Sequence, residues 1–343
     1  MEEECLPDKI RKTYIPSFDE IREAIFKIYK ERVTLPKRVK KRTIKYLIKA
    51  DKINDFVSSK LSSRFKAIRE GEINGFYSEV IKLAGLGELT SYIKELNDGI
   101  WLTRILWRKY RSKIKNSLSD RDARILLREY VGRVLSVFRR RKSRLDALRE
   151  AMQILSRTPC IKDDVYTVVI AGMPQAGKST FVNRISTAKS KVSPFPFTTK
   201  DIVLGHAEVN GIRMQVIDTP GILDRPFDEL NPIERKAYMA IKYLAHHVLF
   251  LIDPSENSYY SIESQLRLLS NIVSSFNEED ITIIINKVDA VSNERLKVVK
   301  ELISKAHSKI PVYEVSALYG IGIDKVLMYL ASKFEQGFKP YHY

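Results

Sequence analysis

Two hydrophobic rhythms divide this chain. From residue 17 to about 157, apolar side chains recur at three- and four-residue steps among charged ones, the spacing of helices with one buried face. Ser17-Phe-Asp-Glu20 has the spacing of a capping box and marks a helix start, while Gly71, Gly85 and Gly87 punctuate the runs. Beyond Ser119, Leu127, Val131, Val134 and Phe138, then Leu145, Leu148, Met152 and Leu155, fall on one helical face. A single helix over 119–156 would run roughly 55 Å, unless Gly132 or the RRRKSR run at 139–144 interrupts it. The pattern predicts an all-α bundle of about four to six helices, a range set by the count of periodic segments.

After the stretch LSRTPCIKDD the rhythm changes. VYTVVIAG, DIVLGHAEV, IRMQVID, HVLFLID, ITIIIN and VYEVSA are short β-rich runs separated by helix-length segments. That alternation predicts an α/β unit, a mainly parallel sheet flanked by helices, with its functional loops at the carboxyl ends of the strands. The expected division is residues 1–160 and 161–343.

Charge sharpens this division. Residues 1–160 hold 38 Lys+Arg against 21 Asp+Glu, whereas residues 161–343 hold 21 of each, so the net +17 of the 343-residue chain resides in the helical part. Clustered cations gain free energy by displacing counterions from phosphates, which makes a polyanion the expected partner of that part. The basic runs WRKYRSKIK at 107–115 and RRRKSRLDALR at 139–149 carry it, with Trp101, Trp107 and Tyr110 interleaved near the first. Read without a partner, the same residues are a solvated bundle face whose aromatics belong to the core. No apolar run reaches the length of a membrane span and the opening MEEECLPDKI is no secretory signal, so a soluble cytoplasmic protein is expected. Cys5 and Cys160 lack CxxC spacing and the adjacent His246 and His247 form no ligand pattern, so neither a disulfide framework nor a metal site is expected from them.

GMPQAGKS at 172–179 fits the phosphate-loop pattern G-x-x-x-x-G-K-S and stands between a strand and a helix, as that motif requires. Gly172 and Gly177 permit a tight loop, and the backbone through Gln175, Ala176, Gly177 and Thr180 would cradle phosphates. Lys178 would face the β and γ phosphates and Ser179 would offer its hydroxyl to Mg²⁺. In Asp218-Thr-Pro-Gly221, Asp218 is placed to hold Mg²⁺ through water and the Gly221 N–H to meet a γ-phosphate. Asn286-Lys-Val-Asp289 selects the base: a carboxylate accepts from both N1–H and the N2 amine of guanine, a paired donor face that adenine lacks. Lys287 would lie along the base, Asn286 would tie the base loop to the phosphate loop, and the Ala317 amide of Ser316-Ala-Leu318 would donate to guanine O6. The expected cargo is GTP and GDP with Mg²⁺.

Together GMPQAGKST, PFPFTTKDIVLGH, DTPGILDRP, NKVD and SAL resemble the Obg-related translation-factor GTPases, and more narrowly the nucleolar GTP-binding protein family in archaeal form. GFYSEVIKLA at 75–84 and LSRTPCI at 155–161 are similar to that family's helical N-terminal domain, so the resemblance covers nearly the whole chain. It implies a GTPase that assists assembly of the large ribosomal subunit, monomeric when free, with ribosomal RNA rather than DNA or a membrane against its helical domain. It also implies that Thr199 completes Mg²⁺ coordination in the GTP state. Lys178, Thr199 and Gly221 are then the residues expected to carry catalysis. Ile222 stands where a water-orienting glutamine is often found and cannot hydrogen-bond water, so slow intrinsic hydrolysis is expected. In relatives that use potassium a phosphate-loop asparagine helps to hold it; Gln175 stands there, which predicts weak or absent K⁺ stimulation. Two other readings stay open on the residues alone: an RNA-binding placeholder with incidental turnover, and a signalling GTPase whose basic bundle docks on proteins.

Overall fold

The computed structural model describes residues 5–35, 43–66, 73, 75–162, 164–187 and 189–337. Gly71, one of the punctuating glycines, lies outside the described residues. The chain divides into two compact units, Met1–Ser156 and Arg157–Tyr343.

Among the described residues of the first unit, every regular element is a helix. Its helices are α1 (Leu6–Arg11), α2 (Phe18–Lys30), α3 (Ile44–Asp55), α4 (Ser62–Lys66), α5 (Gly75–Leu83), α6 (Leu89–Lys115), α7 (Asp120–Arg139) and α8 (Lys142–Ser156). That is more than the four to six expected, because short helices such as α1 and α4 carry too few turns to show a period. Ser17 caps α2 as read: its side chain accepts from the Glu20 amide, and Glu20 returns a bond to the Ser17 amide.

A π-helical segment, Phe56–Leu61, joins α3 to α4. The pattern of burial accounts for it. Ile53, Val57, Leu61 and Phe65 are all fully buried and stand four residues apart. In an α-helix that spacing drifts roughly 40° around the axis at each step; the wider π turn, bonded i to i+5, holds all four against the core.

The long amphipathic stretch breaks once. Gly132 lies inside α7 without disturbing it, and the interruption falls at Arg140 and Arg141. There Arg141 folds over α6: its Nε donates to the Glu95 carbonyl at 2.8 Å and Nη1 to the Val137 carbonyl at 3.1 Å. Gly99 makes room, since a β-carbon on it would meet Arg141 Cδ at 3.0 Å. Leu127, Val134 and Phe138 of α7 and Leu145, Leu148 and Leu155 of α8 form the core face. The aromatics near the first basic run separate by role. Tyr110 is buried and Trp107 donates to Asp51 at 2.8 Å, whereas Trp101 is 61% exposed.

The second unit is a seven-stranded sheet in the order β2-β3-β4-β1-β5-β6-β7. The strands are β1 (Tyr166–Ala171), β2 (Lys191–Pro194), β3 (Asp201–Val209), β4 (Ile212–Asp218), β5 (His247–Ile252), β6 (Ile281–Ile285) and β7 (Val312–Glu314). β4, β1, β5, β6 and β7 run parallel, while β3 pairs antiparallel with β4 and β2 antiparallel with β3. β1, β5 and β6 are buried along their whole length, which explains their unbroken apolar sequences. The mostly exposed β2 has no such signature and was invisible in the pattern. Helices α9 (Lys178–Ile185), α10 (Pro232–Leu244), α11 (Ile262–Ser275), α12 (Asn293–Ala306) and α13 (Ile323–Gly337) complete the unit.

One sequence expectation fails outright: none of the described cysteines is free, and both Cys5 and Cys160 are disulfide-bonded. Cysteines distant in sequence announce no pairing by their spacing.

Candidate functional site

The loop between β1 and α9 is built by left-handed backbone at Gly172, Gln175 and Gly177, with φ of 134°, 66° and 92°. A side chain on Gly172 would run into the backbone of Leu251, and one on Gly177 into the Asn286 amide, so both positions require glycine. The loop delivers Lys178 as the first residue of α9, where it is 8% exposed and donates to the carbonyls of Gly172 at 2.8 Å and Met173 at 3.0 Å. Burial pushes its pKa down; Asp218 and Asp224 oppose this and Lys200 adds to it.

Asp218 ends β4 and is fully buried. Its Oδ2 accepts from the Ser179 hydroxyl at 2.5 Å, while Oδ1 is buried without a hydrogen-bond partner. Burial raises its pKa, countered by the Ser179 bond and the Lys178 charge. A buried carboxylate oxygen lacking a donor, beside a serine hydroxyl, fits a hydrated divalent cation, which would satisfy both. Thr199 lies exposed in the connection between β2 and β3 and is not among the residues lining this cavity. The cavity, about 460 Å³, is lined by Gln175, Gly177, Lys178, Ser179, Thr180, Asp218, Asp224 and Lys287, among others.

The base loop is joined to the phosphate loop through one side chain. Asn286, 2% exposed, donates through Nδ2 to the Ala176 carbonyl at 2.9 Å and accepts through Oδ1 from the Ala317 amide at 3.0 Å. The Ala317 amide, expected to face guanine O6, is therefore engaged by Asn286 here. Lys287 adopts a left-handed φ of 58° and its Nζ donates to Asp253 at 2.6 Å. Burial raises the Asp253 pKa, yet Lys287 and Ser255 more than offset it, leaving the carboxyl below its ordinary value. Asp289 is exposed at the end of this turn, and Ser316 is fully buried with its hydroxyl accepting from the Tyr319 amide at 3.3 Å. Leu318, 59% exposed, projects from the same turn.

Several contributors had no motif to reveal them. Arg184 of α9 binds the carbonyls of Ala317 and Leu318 and so holds the Ser316–Leu318 turn. Asp253 carries the only hint, a carboxylate at the end of an apolar strand. Asp224 accepts from the Gly221 amide at 2.8 Å, and Lys200 lies over Gly221. Ile222 turns inward and is 1% exposed, a core residue. Asn231 caps α10 in a reciprocal capping box with Glu234, and Arg225 is held by Glu234 at 2.6 Å.

A phosphate loop at a strand-to-helix turn, a buried strand-end aspartate beside its serine, and an N-K-x-D loop clamped to the phosphate loop and to the Ser316–Leu318 turn define a P-loop GTPase domain. Comparison with known proteins agrees. The model described as 50S ribosome-binding GTPase matches residues 167–287, and that described as NOG1 N-terminal helical domain matches residues 13–162. The chain thus joins a NOG1-type N-terminal helical domain to a GTPase domain and is similar to proteins named nucleolar GTP-binding protein 1. It is 35% identical over 262 residues to nucleolar GTP-binding protein 1 of Caenorhabditis elegans, covering 74% of this chain and 37% of that one. It is 38% identical over 223 residues to an uncharacterized protein of Methanocaldococcus jannaschii, covering 65% and 62%. The crystal structure of a Plasmodium falciparum nucleolar GTP-binding protein 1 shares 29% identity, covering 52% of this chain and 90% of that one, with a TM-score of 0.44. The chain thus spans 37% and 62% of the length of these two curated relatives, less than two thirds of either. Among the described residues, no helix is long and apolar enough to cross a membrane.

Proposed function

We propose that this protein is a GTP-hydrolysing switch in assembly of the large ribosomal subunit, holding ribosomal RNA through its basic helical unit. One observation carries the reading: a NOG1-type helical domain bearing the entire net charge precedes a GTPase domain. Ser179, Asp218 and Thr199 would hold Mg²⁺, the first two being already adjacent. The divalent ion would neutralise charge on the β and γ phosphates. Lys178 would exchange its loop carbonyls for phosphate oxygens, Asp289 would accept from guanine, and Gly221 would report the γ-phosphate. Hydrolysis would be slow without the particle, and rates at equal ionic strength in KCl and NaCl would agree within about twofold, the ion having no asparagine to bind. Such a protein acts in the cytoplasm, on maturing large subunits, and is monomeric when free.

The RNA reading has local support in Arg133 and Arg140, which line a groove of about 510 Å³ together with Glu95, Leu102, Leu106, Ser136, Val137 and the already bonded Arg141. Arginine engages phosphate bidentately, and duplex RNA is read through backbone and shape, so the face needs no sequence code. The test is sedimentation of the full-length protein with large-subunit precursors, loaded with GDP or a non-hydrolysable GTP analogue. Stronger binding with the analogue, lost in an Arg133→Glu/Arg140→Glu variant that retains nucleotide binding, is expected. Equal binding in both nucleotide states would replace the switch with a placeholder, and no binding in either would sink the ribosomal reading.

A further inference from the structure

Ile222 leaves the site without an obvious group to organise hydrolysis, and the structure places a second cation, besides Lys178, against Gly221. Gly221, whose φ is 77°, presents its N–H to the Asp224 carboxylate at 2.8 Å. An anionic oxygen thus already occupies the acceptor position that a γ-phosphate oxygen takes at this amide. Directly over the same glycine lies the side chain of Lys200: a β-carbon added to Gly221 would collide with its Nζ, Cε and Cδ. Lys200 is close enough to Lys178 to help lower its pKa. The Lys200 amide donates to Thr198 Oγ1 at 3.0 Å, a turn that fixes the direction in which the side chain leaves the chain. The other basic residue beside this glycine in sequence, Arg225, is committed to Glu234 at 2.6 Å.

We infer that Lys200 is a catalytic residue of the hydrolysis, a built-in cation that binds the γ-phosphate beside Gly221 and does the work of an arginine finger. The inference rests on the GTP-hydrolysing reading of the site. In the reaction a lone pair of the attacking water forms a new bond to the γ-phosphorus. The bond from that phosphorus to the β–γ bridging oxygen breaks, and its electron pair leaves on GDP. The proton lost by water stays on the inorganic phosphate. Lys200 transfers no proton; its ammonium donates hydrogen bonds to γ-phosphate oxygens, and its positive charge offsets the charge that builds up on them in the transition state. Asp224 gives up the Gly221 amide as the phosphate arrives, so the glycine and the lysine engage it together.

The test compares full-length Lys200→Ala and Lys200→Arg with the unaltered protein in single-turnover hydrolysis of saturating Mg²⁺·GTP. Alongside, GDP affinity is measured with and without aluminium fluoride, which mimics the transferring phosphoryl group. Lys200→Ala should slow hydrolysis by about tenfold or more, the scale of a lost charge-stabilising donor. It should also lose the aluminium-fluoride-dependent tightening, while GDP affinity stays within about threefold because GDP lacks the group that Lys200 meets. Lys200→Arg should restore most of both. A Lys200→Ala protein as fast as the original, or an arginine variant no better than alanine, overturns the inference while leaving the GTPase reading intact. An unaltered protein that neither binds GDP nor hydrolyses GTP would overturn both.

Discussion

At the scale of single residues the second unit depends on a few side chains that hold loops rather than ligands. Asn286 is the clearest, because its one amide group is bonded on both sides in a buried setting. Removing it in Asn286→Ala leaves the Ala176 carbonyl and the Ala317 amide without partners, at about 1–3 kcal/mol for each buried group. Urea unfolding should show a loss of about 2–6 kcal/mol, and calorimetry a GDP affinity reduced by about tenfold or more because both loops come free. A variant with unchanged stability would show that the bridge carries no load. Histidines supply a second test at this scale. His246 accepts from the Thr167 amide through Nδ1 at 3.0 Å and His247 lies buried against Thr282 at 2.9 Å. Burial lowers their pKa from 6.5 to about 4 and about 3 respectively. Both are therefore neutral when folded but protonate in the unfolded chain below about 6.5. Stability should be fully present above that value and fall as pH drops from there towards pH 4, each costing about 1.4 kcal/mol by pH 5.5. Unfolding at pH 7.5 and 5.5 checks this in His246→Gln, in which the dependence should shrink. The motif residues Lys178, Ser179, Asp218 and Asn286 were legible because their chemistry demands a residue type at a fixed spacing. Arg184, Asp253 and Lys200 were not, because each meets its partner only after the chain has folded.

Elements show the same contrast. The parallel strands β1, β5 and β6 were readable because burial on both faces leaves runs of apolar residues, and the caps at Ser17 and Asn231 because capping has a local code. The π segment was not, although its cause, four buried residues at four-residue spacing, stands in the sequence. Glycine is equally ambiguous when read alone. Gly99 and Gly132 both sit within helices, but only Gly99 makes room for a side chain, while a β-carbon on Gly132 meets nothing within 4 Å. Gly132→Ala should therefore raise stability by about 0.5–1 kcal/mol through helix propensity alone. Gly99→Ala gains the same propensity but must move Arg141, so its change should be smaller or reversed. Thermal unfolding of the two variants side by side separates the cases; equal shifts would deny Arg141 its structural role.

Over the whole molecule the division of charge was plain from composition, and the change of hydrophobic rhythm located the change of architecture. What composition does not tell is the order in which the parts come into being. The first unit closes over long stretches of its own, α1 packing on α8 and both α2 and α3 on α7, but every one of these helices precedes β1 in the chain. The second places its first strand in the middle: β1 needs β4, at 212–218, on one side and β5, at 247–252, on the other. During synthesis β1, with the phosphate loop behind it, must wait for both flanking strands to leave the ribosome, by which time the basic bundle has had ample chain and time to fold. The charged half thus exists as a folded object before the half that answers to nucleotide has been built.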